Sequence, residues 1–167
     1  MIKHNDPEYV AVSNQTSLER LVRAITLSEG QFSLILVCCN HLPLRRKIVK
    51  QLIELSSESI QEIILHPSVN TLFTTIETAV EASPPLALVV SGLESVVAID
   101  QVLSSTNLVR DEFRKQFPFP LVLLINDEIL QKMIRLAPDF KSWSANPIRF
   151  QVLENHHCSN CTAAVTA

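Results

Sequence analysis

Arg45, Arg46 and Lys47 form a basic triplet at the start of a segment with helical spacing. The first turn of a helix carries unpaired N–H groups and the positive end of the helix dipole, so a phosphate could be held there together with cationic side chains. The plainer reading is a solvated helix face, because helical spacing turns two of the three outward. Glu94 closes an apolar run, from where a carboxylate could orient a water or a metal ion, or could favour the positive end of the next helix. Asn126 and Asp127 close another such run and suit the cap of the helix that follows. His156 and His157 beside Cys158-x-x-Cys161 offer zinc-ligand types, or a redox pair, at short spacing. No second Cys or His cluster stands near them, and small or neutral residues follow, so 153–167 reads as a disordered tail with no metal assigned. His41 and His66 each follow a strand-like run without a nucleophile motif and read as exposed turn residues. Cys38 and Cys39 are neighbours that a strand would point to opposite faces, and both read as reduced core residues.

Composition narrows the chemistry further. The 167 residues include two glycines, Gly30 and Gly92, where average usage of roughly 7% would supply about twelve. A phosphate-cradling loop needs several glycines close together so that main-chain N–H groups can approach, and neither G-x-G-x-x-G nor G-x-x-x-x-G-K-[ST] occurs. Fourteen Lys and Arg against 17 Asp and Glu leave a net charge of -3, which gives no footprint for nucleic acid or an anionic membrane surface. No apolar run reaches the length of a membrane span, and residues 1–8 lack the basic-then-apolar pattern of a secretory leader. A hydrophobic content of 47% supports one core without staples. The expectation is a cytoplasmic chain with no cofactor, no nucleic-acid partner and no membrane partner.

These residues need elements to position them. Apolar spacing predicts a helix over 16–29, ended by Gly30, and short apolar runs predict strands over 32–39, 60–65, 86–91, 121–125 and, less strongly patterned, 147–152. Between them lie helical patterns from about 41 to 55, 69 to 82, 95 to 116 with a break near 104–106, and 128 to 136. Strands alternating with helices specify crossover units and a parallel sheet covered on both faces, with ligands expected outside the carboxyl ends of the strands. The division that follows is an N-terminal helical extension over 1–31, an α/β domain over 32–152 and the tail. Phe140 and Trp143, with Pro138, read as a plug that packs the last strand onto the sheet.

The run over 107–150 resembles a segment of bacterial, especially cyanobacterial, multidomain NTPases of the STAND and AAA-like type, often joined to tetratricopeptide or other repeats. The likeness rests on Asn107, Leu108 and Arg110, on Phe117, Pro118 and Pro120 leading into a strand, and on Ala137, Pro138, Asp139 and Phe140 followed by Trp143. It is colinear, more sparsely, back to Phe32. The resemblance implies a P-loop NTPase-like three-layer sandwich with a five-stranded, mainly parallel sheet whose first strand lies between the fourth and the fifth. It would place 32–39 before the phosphate loop, 86–94 as the strand ending in a metal-binding acidic pair, and Asn126 where a polar residue senses the terminal phosphate.

The departures from that family matter more than the match. Residues 39–47 contain no glycine, and Pro43 removes an N–H donor from the loop. Ser91-Gly92-Leu93-Glu94 lacks the usual Asp and leaves only Glu94. The expectation is a catalytically degenerate NTPase-like domain, not an enzyme, acting as an interaction or regulatory module through a protein partner or self-association. Two alternatives stay open. One is an ATP-binding or hydrolysing domain with a substitute site built from Arg45, Arg46, Lys47, Glu94 and Asn126. The other is a metal- or redox-dependent protein using Cys158 and Cys161.

Overall fold

Apolar runs buried on both faces form the central strands, and each ends where a polar residue or glycine turns the chain. The structure, a computed structural model, describes residues 6–56 and 59–153. The strands are β1 (Ser33–Cys38), β2 (Ile60–Ile64), β3 (Ala87–Ser91), β4 (Pro120–Ile125) and β5 (Ile148–Arg149). All pairings are parallel and the order is β2-β3-β4-β1-β5, so the first strand lies between the fourth and the fifth, as expected. Pro120 opens an interior strand, the one strand position where a missing N–H is tolerated.

The helices are α1 (Pro7–Leu27), α2 (Leu42–Leu55), α3 (Leu72–Ala79), α4 (Ile99–Leu108), α5 (Arg110–Gln116), α6 (Asp127–Leu136) and α7 (Pro138–Ser142), with a 3-10 turn at Leu93–Ser95. Alternation along β1 sends Leu34 and Leu36 into one core cluster and Ile35, Val37 and Cys39 into another. The first cluster is completed by α3 to α7 and the second by Leu18, Leu21 and Ile25 of α1 with Ile48, Val49 and Leu52 of α2. Helices on both faces of a parallel sheet make this a three-layer α/β sandwich.

Phe113 of α5 centres the first cluster. Its ring lies 5.1 Å from Phe140, 5.3 Å from Phe73, 5.6 Å from Phe117 and 6.3 Å from Phe32. The residues that carry the family resemblance meet beside it. Asn107 Oδ1 accepts from the Asp139 and Phe140 N–H groups at 3.0 Å each and so caps α7, while Arg110 Nη1 donates to the Asn107 carbonyl at 2.7 Å. Trp143 stands edge-on to Phe32 at 6.2 Å, with the Arg114 guanidinium 4.2 Å over its ring. Phe140 is fully buried and Trp143 half-buried, so the expected plug is present with Phe140 as its inner part.

Several boundaries differ from expectation for identifiable reasons. α1 begins at Pro7 rather than 16, because Asp6 accepts from the Glu8 N–H at 3.0 Å and Pro7 takes the first turn. Polar Ser13, Asn14 and Thr16 therefore lie inside the helix. Asn14 bonds the Gln151 main chain in both directions, at 2.7 and 3.0 Å, and Ser17 donates to the Arg149 carbonyl at 2.7 Å. The break in the long fourth helical pattern falls at Val109, not at 104–106, since Ser105 and Thr106 return their hydroxyls to the Val102 carbonyl and stay helical. α3 is shorter than 69–82, and β5 is shorter than 147–152, starting only after Pro147, which cannot donate to a ladder, and ending at Arg149. The expected tail, 153–167, lies outside the described residues except for Leu153.

Candidate functional site

The carboxyl ends of the strands are where an open parallel sheet normally holds a ligand. There the loop after β1 turns into α2 through His41, whose Nδ1 accepts from the Leu44 N–H at 3.2 Å while its carbonyl accepts from the Arg45 N–H at 3.1 Å. With Pro43 in the same turn, the first turn of α2 has one amide capped by its own side chain and one removed.

Arg45 points inward and is 5% exposed. Its Nε donates to the Cys39 carbonyl at 2.7 Å, and its Nη1 is paired with Glu94 Oε1. Glu94 reaches Arg45 because Gly92, with φ +89°, lets the chain leave β3 in a left-handed turn; a Cβ there would stand 3.1 Å from the Leu65 carbonyl oxygen. Glu94 Oε2 is buried with no hydrogen-bond partner among the described residues. Beside the pair lies a cavity of about 300 Å³, whose lining includes Arg46, Leu42, Val49, Glu62 and Ile64.

The five residues singled out as a residual nucleotide site therefore separate. Arg45 and Glu94 are brought together, and Arg46 reaches the rim of the same cavity. Lys47 is exposed and does not line it. Asn126 caps α6, its Oδ1 accepting from the Ile129 N–H at 2.8 Å, as the plainer reading had it. Arg46 and Lys47 face outward and Arg45 inward, the two-to-one split that helical spacing implied for the basic triplet. Glu94 lies in the 3-10 turn that follows β3, with its carboxylate turned to Arg45, and α4 starts without a side-chain cap.

A second polar cluster, which sequence reading did not assemble, closes the ends of β1, β4 and β5. Asp127 and Asn40 bond reciprocally, Asn40 Nδ2 to Asp127 Oδ2 at 2.8 Å and the Asp127 N–H to Asn40 Oδ1 at 2.9 Å. Arg149 Nη1 donates to Asp127 Oδ1 at 2.9 Å, and the Cys38 thiol donates to the same oxygen at 3.2 Å. The bonds from Asn40, Arg149 and Cys38 hold the Asp127 carboxyl down to about 2. Burial, then the bond to Asp127, pushes the Cys38 thiol up to about 11, and burial raises Cys39 as well. Both thiols are thus poor nucleophiles at neutral pH, and Asp127 is a poor base. Asn40 and Asp127 each stand two residues past the end of a strand, which was the available signal; nothing in the sequence marked Arg149 as their partner.

His41 and His66 are exposed, as expected, with His66 Nδ1 2.7 Å from the Ser68 hydroxyl. His156, Cys158 and Cys161 lie outside the described residues. Among the described residues no three His, Cys, Asp or Glu side chains are grouped to hold a metal ion, and no helix is long and apolar enough to cross a membrane. Fold and site together define an α/β sandwich whose carboxyl edge is tied up by its own side chains. No family model matches the chain, and no curated protein or solved structure matches it.

Proposed function

We propose that the chain is an NTPase-like domain, akin to those of STAND and AAA-like proteins, that has lost its phosphate chemistry and acts as a protein-interaction or regulatory module. The observation that carries this reading is the Arg45–Glu94 pair. A nucleotide site on this edge needs open amides after β1 and a carboxylate free to hold a metal after β3. Here the carboxylate is neutralised by a buried guanidinium, and the amides after β1 are reduced by Pro43 and His41. The strand order β2-β3-β4-β1-β5 supports the NTPase-like part of the reading. Calorimetric titration of the chain with ATP and magnesium tests it: no heat of binding is expected, and micromolar affinity would overturn it.

One feature favours the second reading, an ATP-binding domain with a substitute site. Glu94 Oε2 is buried without a partner among the described residues, next to a cavity that Arg46 reaches, so a donor supplied by a ligand would relieve it. Under that reading ATP binds, and Arg45→Ala combined with Arg46→Ala abolishes binding while the circular dichroism of the fold is retained.

A further inference from the structure

The β5 flank of β1 is half empty. β4 pairs with β1 along its whole length, from Ser33 to Cys38, whereas β5 pairs with Val37 and Cys38 alone. The Cys39 N–H donates to the Ile125 carbonyl on the β4 side at 2.9 Å, and the Cys38 carbonyl accepts from the Phe150 N–H on the β5 side at 3.0 Å. Alternation along a strand therefore turns the main-chain groups of Leu34 and Leu36 toward the β5 side. Ahead of Ile148 the chain departs from β1, and no described residue bonds the Leu34 N–H, the Leu34 carbonyl or the Leu36 N–H. Leu34 is 3% and Leu36 2% exposed, surroundings in which unpaired main-chain groups are strongly disfavoured.

Along these groups runs an open slot of about 500 Å³, lined by residues 33–36 in succession. Arg20, Arg23, Ala24 and Leu27 of α1 form one wall, and Trp143 and Asn146 stand on the other side. No carboxylate lines the slot, and neither Arg20 nor Arg23 has an ion-pair partner among the described residues. Positive charge is concentrated here in a chain of net charge -3.

We propose that this slot binds an extended acidic segment of a partner protein, which adds to β1 as a strand alongside residues 33–36 and continues the position of β5. Four strand residues at ~3.3 Å each cover about 13 Å, the length of the open edge. Successive side chains of such a strand point to opposite walls. Asp or Glu at alternate positions would meet Arg20 and Arg23, and β-branched residues between them would pack toward Trp143. Main-chain bonds to Leu34 and Leu36 supply affinity, and the two arginines select the sign of charge. The inference rests on the interaction-module reading, but the two fail separately: nucleotide titration reads the carboxyl edge, and the experiment here reads the opposite half of β1.

The test is selection of a randomised displayed-peptide library on the whole chain, followed by amide hydrogen exchange with the enriched peptide in synthetic form. Sequences alternating acidic and β-branched residues are expected. Their binding should slow exchange at the Leu34 and Leu36 amides while leaving Ile35 and Val37, already bonded to β4, unchanged. Arg20→Ala with Arg23→Ala should weaken binding by roughly tenfold, an effect that fades at high salt. Ala24→Glu, on the slot wall, should abolish binding with the fold intact. The proposal is overturned if no sequence enriches, or if binding leaves the Leu34 and Leu36 amides exchanging as before. Protection of those amides that rises with protein concentration in the absence of peptide would assign the slot to a second copy and overturn it equally.

Discussion

The two faces of the sheet are covered differently. α3 to α7 lie on one face with six of the seven phenylalanines, and α1 and α2 cover the other with aliphatic side chains and Phe150. Cavities of about 210, 300 and 500 Å³ all border α1 or α2. Interlocked rings fill space with few side chains and fix their neighbours through edge-to-face contacts. Aliphatic residues on two helices leave the margins of a five-stranded sheet open. Packing is thus tightest around the rings of the aromatic face, where a cavity of about 400 Å³ opens only at the margin between α3 and α5, and three openings border the two aliphatic helices.

The sharpest test of that contrast sets Phe113→Ala against Leu52→Ala. Phe113 is enclosed by four other rings, so its loss should cost about 3–5 kcal/mol, at the upper end for a core truncation. Leu52 borders a cavity and its surroundings can settle, so about 2–3 kcal/mol is expected. Equal losses in urea unfolding would erase the distinction between the faces.

Next in size is Arg45→Met, which leaves the Glu94 carboxylate partly buried and unpaired. Removing one partner of a buried pair typically costs about 3–5 kcal/mol, and the partial exposure of Glu94 lowers this to about 2–3. Adding Glu94→Gln should recover most of the loss. Thermal unfolding of the single and double variants reads both effects, and a double variant no better than the single would show that Arg45 acts through packing and its bond to the Cys39 carbonyl rather than through Glu94. Trp143→Ala should cost less, about 1–2 kcal/mol, because the ring is half-buried and its contact with Arg114 is near the surface. Of the two rings that the sequence pairs as a plug, burial gives the larger share to Phe140.

The smallest effect expected is a pH dependence at the carboxyl edge. Asp127 titrates near 2 in the folded chain against an ordinary 3.8, so it binds protons more weakly folded than unfolded. Its contribution is complete above about 4 and is lost as pH falls toward 2. The stability difference between the parent and Asp127→Asn should therefore vanish over that interval, while the difference between the parent and Phe113→Ala should persist through it. A gap for Asp127→Asn that is constant from pH 7 to 2 would count against the bonds from Asn40 and Arg149 as its source.

Much of the fold was legible because β-type apolar runs are short, continuous and bounded by proline, glycine or polar residues, as at Gly30, Pro85 and Pro118. Helix ends were less legible where a polar side chain serves a distant segment, as Asn14 does for Gln151. The site was legible only by position. Arg45 and Glu94 could each be flagged at a strand exit, but their pairing depends on which way one helical residue turns and on the left-handed bend at Gly92. Arg149 meets Asp127 only once β5 has crossed to the far side of β1, a relation that spacing along the chain does not encode.

That crossing also sets a timetable. β1 is synthesised well before its neighbours, so Ser33 waits for Pro120 and Cys38 waits for Arg149 before either edge of the strand is paired. Until then a fully apolar segment with both edges open is carried by the nascent chain, and long-range parallel pairing is slow to form. A growing chain that stalls before residue 120 has no partner for its central strand. Chaperone capture is expected to be strongest in that window and to end abruptly as β4 leaves the ribosome.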